Sequence, residues 1–108
     1  MEQKINIKLK KIIDITKGSF SGQLKSLESE ISSISIDSRN IEQFDLYIAI
    51  AGRNHDGNKF TKQALNNGAK FAIVSNPLFH SEETILVKSG KEALANIALY
   101  LRDQINQK

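Results

Sequence analysis

Apolar residues near both ends of the chain recur with the period of an α-helix. In NIKLKKIIDITKG, four residues fall on one helical face: Leu9, Ile12, Ile13 and Thr16. Asn6 is a candidate N-cap of this helix, and Gly18 is a natural C-terminal stop. Near the other end, Ser89 and Glu92 have the spacing of a capping box. The helix predicted after them carries an apolar stripe: Leu94, Ile97, Ala98, Leu101 and Ile105.

The segments between these helices predict strands and one further helix. SISIDS alternates, which places Ile34 and Ile36 on the same side of a half-buried strand. Three nearly continuous apolar runs are short enough to be strands: DLYIAIA, FAIVS and TILV. In NKFTKQALNNGAK, a helix of about three turns is expected to end at Gly68. Its apolar face consists of Phe60, Ala64 and Leu65.

Alternating strands and helices predict the α/β class. We expect a small mixed or mostly parallel sheet flanked by helices. A length of 108 residues suits a single domain with one modest core.

Composition narrows the class of protein. The chain has no cysteine, so thiolate metal sites and disulfides are excluded. No apolar run approaches the roughly 20 residues of a membrane span, and no apolar segment follows the lysine-rich start to form a signal peptide. A cytoplasmic protein without a membrane partner is therefore expected.

The net charge of +3 comes from one end of the chain. Residues 1–17 contain five lysines against Glu2 and Asp14, while the remaining residues balance at ten basic and ten acidic. A nucleic-acid-binding protein would present a basic stripe with interleaved aromatic residues. Lysines that solubilise a first helix explain the charge better, and no nucleic-acid partner is expected.

Motifs for catalysis or for a metal are weak. SGKE resembles the end of a phosphate-binding P-loop, but Ile85 and Glu92 stand where that motif needs a glycine and a Ser or Thr. His55 and His80 have no third ligand at metal spacing. We therefore predict no catalytic residue, no metal and no cofactor within this chain.

Two polar segments follow predicted strands and could form a binding site. Asp37, Ser38 and Arg39 come after the alternating strand, and GRNHDGNKF comes after DLYIAIA. Ligands of α/β sheets bind beyond the carboxyl ends of strands. Arg39 is a planar donor suited to phosphate, and the glycines of the second segment, Gly52 and Gly57, allow backbone N–H groups to approach an anion. A helix starting near Asn58 would add its positive end. The alternative is two ordinary surface turns.

The stretch SIDSRNIEQFDLYIAIAGRNHDGNKFTKQALNNGA, residues 35–69, resembles the N-terminal domain of the Mur ligases, which extend UDP-N-acetylmuramoyl peptides. The family pattern is Asp-Ser-Arg, a spacer, Gly-Asp-Leu-Phe, an apolar strand, a glycine loop ending in Asp-Gly, then Phe and a helix closing with Gly-Ala. One departure is Phe44, where the family has glycine. LKKIIDITKGSFSGQ and ILVKSGKEALANIALYLRDQ resemble the matching ends of the D-alanyl-D-alanine-adding (MurF-type) ligases more than those of the diaminopimelate- or lysine-adding (MurE-type) ligases.

The resemblance implies a function for the whole chain. Residues 1–108 would be the domain that holds the UDP moiety of UDP-N-acetylmuramoyl tripeptide in a peptidoglycan-precursor ligase. ATP and Mg²⁺ would bind a central domain that is absent here, and that domain would be this one's partner. The full enzyme would form an amide with D-alanyl-D-alanine at the expense of ATP, and this domain alone would catalyse nothing.

The resemblance also implies roles for the two polar segments. Ser38 would hydrogen-bond a UDP oxygen, and Arg39 would meet the diphosphate or support the loop. Asn54, His55 and Asp56 would present groups to uridine or sugar. Two residues each have two possible roles. Asp37 would either orient the turn or contact the ligand. Phe60 would either pack in the core or lie under the uracil.

Two other classes of function remain open at this point. The chain could be a stand-alone nucleotide-sugar-binding or regulatory module. It could also be a nucleic-acid or protein interaction domain that uses its lysine-rich first helix.

Overall fold

Strands and helices alternate along the computed structural model, which describes residues 6–39, 41 and 45–106. The strands of this part of the chain are β1 Ile7–Lys8, β2 Ser19–Phe20, β3 Glu30–Ile31, β4 Ser33–Ser35, β5 Asp45–Ile48, β6 Phe71–Val74 and β7 Thr84–Leu86. The α-helices are α1 Leu9–Thr16, α2 Thr61–Asn66 and α3 Gly90–Asn106. Three 3₁₀ segments accompany them: Leu24–Glu28, Gly57–Phe60 and Pro77–Phe79.

The main sheet has five strands in the order β2-β7-β6-β5-β4. Strands β4 to β7 are parallel, and β2 pairs antiparallel with β7. A separate two-stranded ladder joins β1 to β3. The predicted α/β class with a mixed sheet is therefore confirmed.

Both faces of the central strands are buried, as parallel sheets require. In β5, Leu46 and Ile48 pack into the larger core, which also receives α1 and α3. Tyr47 lies on the opposite face with a cluster of small residues: Ala49, Ala64, Ala69 and Ala72. Ala64 of α2 packs within this cluster, so small side chains allow α2 to lie close to this face of the sheet.

The first helix is placed as predicted, but its ends differ. The apolar face is correct, since Leu9 and Ile12 are fully buried. The predicted N-cap, Asn6, is wrong: Lys8 is the N-cap, because the residues before the helix pair with β3 as strand β1. Lys17, with φ of 55°, takes the left-handed C-terminal position, one residue before the predicted stop at Gly18.

The second helix is shorter than the sequence indicates. Its first turn is the 3₁₀ segment, and the α-helix itself covers only Thr61–Asn66. Thr61 and Ala64 form the buried face, whereas Phe60 is 39% exposed. Gly68, with φ of 124°, ends the helix as predicted.

The capping and the apolar stripe of α3 are confirmed in part. Ser89 Oγ accepts a hydrogen bond from the Glu92 amide at 3.3 Å. Ile97 is buried, but Ala98 and Ile105 are exposed. The helix has 17 residues and packs against α1, which has eight. Ile36, predicted to lie beside Ile34, falls after the end of β4 and is 57% exposed.

Three lysines near the start of the chain contact other residues of the molecule. Lys8 and Lys10 bind the two carboxylate oxygens of Glu28 at 2.9 and 2.8 Å. Lys11 Nζ lies 5.3 Å from the ring centroid of Tyr100. These contacts reduce the basic surface that a nucleic acid would need. None of the helices described is long and apolar enough to cross a membrane.

The ion pairs of Glu28 with Lys8 and Lys10 predict a pH-dependent contribution to stability. Hydrogen bonds from Lys10 and then Lys8 lower the pKa of Glu28 from 4.5 to about 2. Because the pKa is lower in the folded state, the contribution is complete above pH 4.5 and is lost as the pH falls through about 2. We expect Glu28→Gln to lower the melting temperature by a few °C at most at pH 7, since the pair is exposed, and by less at pH 2.

Thermal unfolding of Glu28→Gln between pH 2 and 7 measures this difference. In a Lys8→Met/Lys10→Met background the same substitution should lose its pH dependence. A difference that stayed constant across the range would contradict the assignment.

Candidate functional site

The two polar segments meet at the carboxyl end of the parallel strands, as predicted. They surround a cavity of about 590 Å³. Its lining residues are Ile36, Asp37, Ser38, Arg39, Tyr47, His55, Phe60 and Gln63. A smaller cavity of about 290 Å³ shares Ile36 and His55 and is bounded by Gly52 and Gly57. Six of the eight predicted site residues thus line one cavity or the other, while Asn54 and Asp56 line neither.

Ser38 is held by helix α2. Its side chain is nearly buried, with 7% exposure. Ser38 Oγ donates to Gln63 Oε1 at 2.7 Å, and the Ser38 carbonyl accepts from Asn67 Nδ2 at 2.9 Å. Gln63 and Asn67 are one helical turn apart, so both hydrogen bonds reach Ser38 from the same side of α2. The position of Ser38 in the cavity wall is thereby fixed at two points.

Asp37 and Arg39 form an ion pair at the mouth of the cavity. Asp37 Oδ1 accepts from the Arg39 amide at 2.9 Å and from Arg39 Nε at 3.1 Å, and Asp37 Oδ2 accepts from Arg39 Nη2 at 3.2 Å. These hydrogen bonds lower the pKa of Asp37 and raise that of Arg39. The Arg39 side chain is still 80% exposed, so its outer donors face solvent. Asp37 and Arg39 therefore form the predicted turn, and Arg39 is also the predicted charged donor.

The loop after β5 is closed by its own backbone. The Gly52 amide donates to the His55 carbonyl at 2.6 Å, and the Gly57 amide donates to the Ile50 carbonyl at 2.9 Å. These two amides are therefore used within the loop and are not open to an anion. Their hydrogen bonds instead shape a narrow loop that carries His55 to the cavity.

The rings of His55 and Phe60 stack on each other in the wall of the cavity. Their centroids are 5.3 Å apart and their planes are inclined by 9°. Phe60 therefore lines the cavity and is not part of the core, since its ring packs on an exposed histidine. Below them, the Tyr47 hydroxyl donates to the Gly57 carbonyl at 2.7 Å. Burial raises the pKa of Tyr47, and the charges of Asp37 and Asp56 raise it further.

Asn58 is a buried polar residue whose importance the sequence did not reveal. It is 2% exposed. Its Oδ1 accepts from the amides of Ser75 and Asn76 at 2.9 and 3.2 Å, and its Nδ2 donates to Asp56 Oδ1 and Ser75 Oγ at 2.8 and 3.1 Å. All the hydrogen-bonding capacity of the amide is used. Asn58 therefore ties the site loop to the end of β6.

Asp56 is a cap and does not point into the cavity. Its Oδ1 accepts from the Asn58 amide at 3.0 Å as well as from the Asn58 side chain, and these bonds lower its pKa. The carboxylate therefore occupies the N-terminus of the 3₁₀ segment, where an anion would need free amides. The predicted help from a helix dipole at this point is not supported.

The residues lining the larger cavity that sequence reasoning did not assign to the site are Ile36, Tyr47 and Gln63. Tyr47 carries a polar hydroxyl between the apolar residues Leu46 and Ile48 of β5. Gln63 lies three residues after Phe60, which is the spacing of neighbours on a helix. Both signals are visible only once the loop and helix are known to fold over the strand end.

In the part of the chain that the structure describes, the Gly-Lys pair at Gly90 is packed against the end of β5 and no metal-binding cluster is found. A Cβ at Gly90 would collide with the Ala49 carbonyl oxygen, so this glycine serves the contact between α3 and the end of β5. A phosphate cradle needs open space over its glycine. Within residues 6–39, 41 and 45–106, no group of three or more His, Asp or Glu side chains could hold a metal ion.

Comparison with known proteins identifies relatives. The family model described as "Mur ligase family, catalytic domain" matches residues 30–102. A UDP-N-acetylmuramoyl-tripeptide--D-alanyl-D-alanine ligase of Buchnera aphidicola subsp. Baizongia pistaciae is 33% identical over 106 residues, which are 94% of this chain and 23% of that protein. A UDP-N-acetylmuramoyl-L-alanyl-D-glutamate--2,6-diaminopimelate ligase of Clostridium tetani is 40% identical over 76 residues, 65% of this chain and 16% of that protein.

The fold has a counterpart among solved structures. A crystal structure of MurF from Acinetobacter baumannii superposes with a TM-score of 0.81 at 26% identity. The match covers 95% of this chain and 22% of the MurF chain. This chain therefore spans less than a quarter of the length of the relatives described here.

Proposed function

This chain belongs to the Mur ligase family, and on that premise we propose that it is the N-terminal domain that holds the UDP moiety of a UDP-N-acetylmuramoyl peptide. The similarity to D-alanyl-D-alanine-adding ligases reaches 94% of the chain, against 65% for the diaminopimelate-adding relative. We therefore assign it to the MurF type, with the MurE type as the second candidate. The peptide substrate and the amide-forming reaction belong to the longer enzyme.

The observation that carries this proposal is the convergence of the two polar segments on one cavity. The stacked rings of His55 and Phe60 offer a flat face to a planar base. Arg39 lies at the mouth with donors directed to solvent, where a diphosphate can reach them. The cavity volume of about 590 Å³ falls within the range of small-molecule sites.

We assign ATP, Mg²⁺ and the catalytic groups to the central domain of the longer ligase. That domain is the protein partner we propose for this one, and the cytoplasm is the proposed location. Binding the remote nucleotide contributes to rate by holding the reacting end of the substrate in place. The domain by itself is expected to bind UDP weakly and to catalyse nothing.

Titration of the ¹⁵N-labelled chain with UDP tests the proposal. At millimolar UDP we expect amide shift changes in two segments, Asp37–Arg39 and Gly52–Phe60. Uridine alone should perturb Ser38 and the second segment, and inorganic diphosphate mainly Arg39. The groove at the other end of the strands, which includes Ser26 and Glu83, serves as an internal control and should not respond.

If UDP left both segments unchanged, the substrate-domain proposal would fail. A salt-sensitive shift of the lysine-rich helix on addition of a DNA or RNA oligonucleotide would instead favour an interaction module. The contacts of Lys8 and Lys10 with Glu28 argue against that result.

A further inference from the structure

The hydroxyl group of Ser38 has its one proton already engaged. Ser38 Oγ donates to Gln63 Oε1 at 2.7 Å, and the backbone carbonyl of Ser38 accepts from Asn67 Nδ2 at 2.9 Å. A serine hydroxyl has one donor and two acceptor lone pairs. While the bond to Gln63 persists, Ser38 can offer the cavity only an acceptor.

This polarity decides which part of a nucleotide Ser38 can contact. An ionised diphosphate presents only acceptor oxygens, so it cannot bond to an acceptor. A nucleoside presents donors: the N3–H of uracil and the hydroxyl groups of ribose. We infer that Gln63 is a positioning residue that turns Ser38 into an acceptor for a donor of the nucleoside. The inference rests on the proposed function, and it adds a direction to the sequence-based expectation that Ser38 hydrogen-bonds a UDP oxygen: Ser38 is the acceptor.

The surrounding contacts support this division of roles. Ser38 is 7% exposed, which places it inside the wall of the cavity, whereas Arg39 is 80% exposed at the mouth. The base and sugar would therefore lie inward, against Ser38 and the ring of Phe60. The diphosphate would lie outward, where Arg39 supplies the charge. Asn67 holds the same loop one helical turn away and prevents Ser38 from turning out of the wall.

The experiment removes ligand donors one at a time. UDP is compared with its N3-methyl, 2′-deoxy and 3′-deoxy analogues in NMR titrations of the wild-type chain. We expect one of these analogues to bind about 3- to 10-fold more weakly than UDP, as the loss of one neutral hydrogen bond does. In Ser38→Ala that penalty should disappear, while the penalties of the other two analogues should stay as they are.

Variants of Gln63 then test the positioning role. Gln63→Glu keeps an acceptor for the Ser38 proton, so it should retain the penalty of the sensitive analogue. Gln63→Met removes the acceptor and frees the hydroxyl to rotate, so the penalty should shrink. A residue that only stabilised the fold would not change the discrimination between analogues. Amide spectra of each unliganded variant confirm that the fold is intact.

Two results would overturn the inference. If UDP binds but every analogue has the same penalty in the wild type and in Ser38→Ala, Ser38 accepts no nucleoside donor, and the proposed function stands without this contact. If UDP fails to perturb either cavity segment, the proposed function fails together with the inference.

Discussion

Replacing Asn58 with aspartate is expected to lower the free energy of unfolding by about 3 kcal/mol at pH 7, roughly 10–20 °C in melting temperature. The new carboxylate would lose both donated hydrogen bonds, to Asp56 and to Ser75. It would also place a second negative charge at the 2.8 Å distance that now separates the amide nitrogen from Asp56 Oδ1. Asn58 is 2% exposed, so water would screen the new charge poorly.

The pH dependence of the stability of Asn58→Asp identifies the cause of its destabilisation. Burial and the neighbouring Asp56 carboxylate would raise the pKa of the introduced carboxyl group above its value in the unfolded chain. A group with a raised pKa is less destabilising at low pH, so the deficit should shrink as the pH falls from 7 towards 4. A deficit that did not change with pH would point to lost packing and not to charge.

Denaturant unfolding of Asn58→Asp, Asn58→Ala and Asn54→Asp makes the measurement. Asn58→Ala leaves the amides of Ser75 and Asn76 without their acceptor and should cost about 2–3 kcal/mol at every pH. Asn54→Asp adds the same charge to an exposed position of the same loop and should change stability by no more than about 0.5 kcal/mol. Equal losses at positions 54 and 58 would contradict the role given to Asn58.

The dependence on Asn58 also explains how much of the site could be predicted from the sequence. Periodicity located the buried strands and the helices, because one face of each must be apolar to form a core. It also placed Asp37–Arg39 and His55 at strand ends, and parallel strands end at the same edge of a sheet. That topological fact was enough to predict that these residues would meet.

Hydrogen-bond partners could not be predicted in the same way. The Gly52 and Gly57 amides are consumed within their own loop, and Asp56 caps the turn that follows it. Each of these outcomes depends on where a loop lies to within a few tenths of an ångström, which residue spacing does not encode. The pairing of Ser38 with Gln63, 25 positions apart, depends likewise on how α2 sits on the sheet. Phe44, the departure from the family pattern, lies outside the described residues.

Arg39→Ala is expected to weaken UDP binding by about 1.5–3 kcal/mol, roughly 10- to 150-fold, if the guanidinium makes a charge-assisted hydrogen bond to the diphosphate. Arg39→Lys should lie between the wild type and Arg39→Ala, because an ammonium group keeps the charge but cannot form two parallel bonds. Uridine, which has no phosphate, should bind all three proteins equally. NMR or calorimetric titrations with UDP and uridine measure both effects. An unchanged affinity for UDP would make Arg39 a surface residue.

Asp37→Asn should have the opposite sign, and this provides the sharper test of the site. In the free protein Asp37 binds two nitrogens of the Arg39 side chain, so it competes with the diphosphate for them and repels it. Asparagine can still accept the bond from the Arg39 amide and keep the turn, while the competing charge is gone. We expect UDP to bind a few-fold more tightly to Asp37→Asn, with the gain decreasing as salt is added. Weaker binding would show that Asp37 holds Arg39 in its productive position, and the ion pair would then be part of the binding site rather than its competitor.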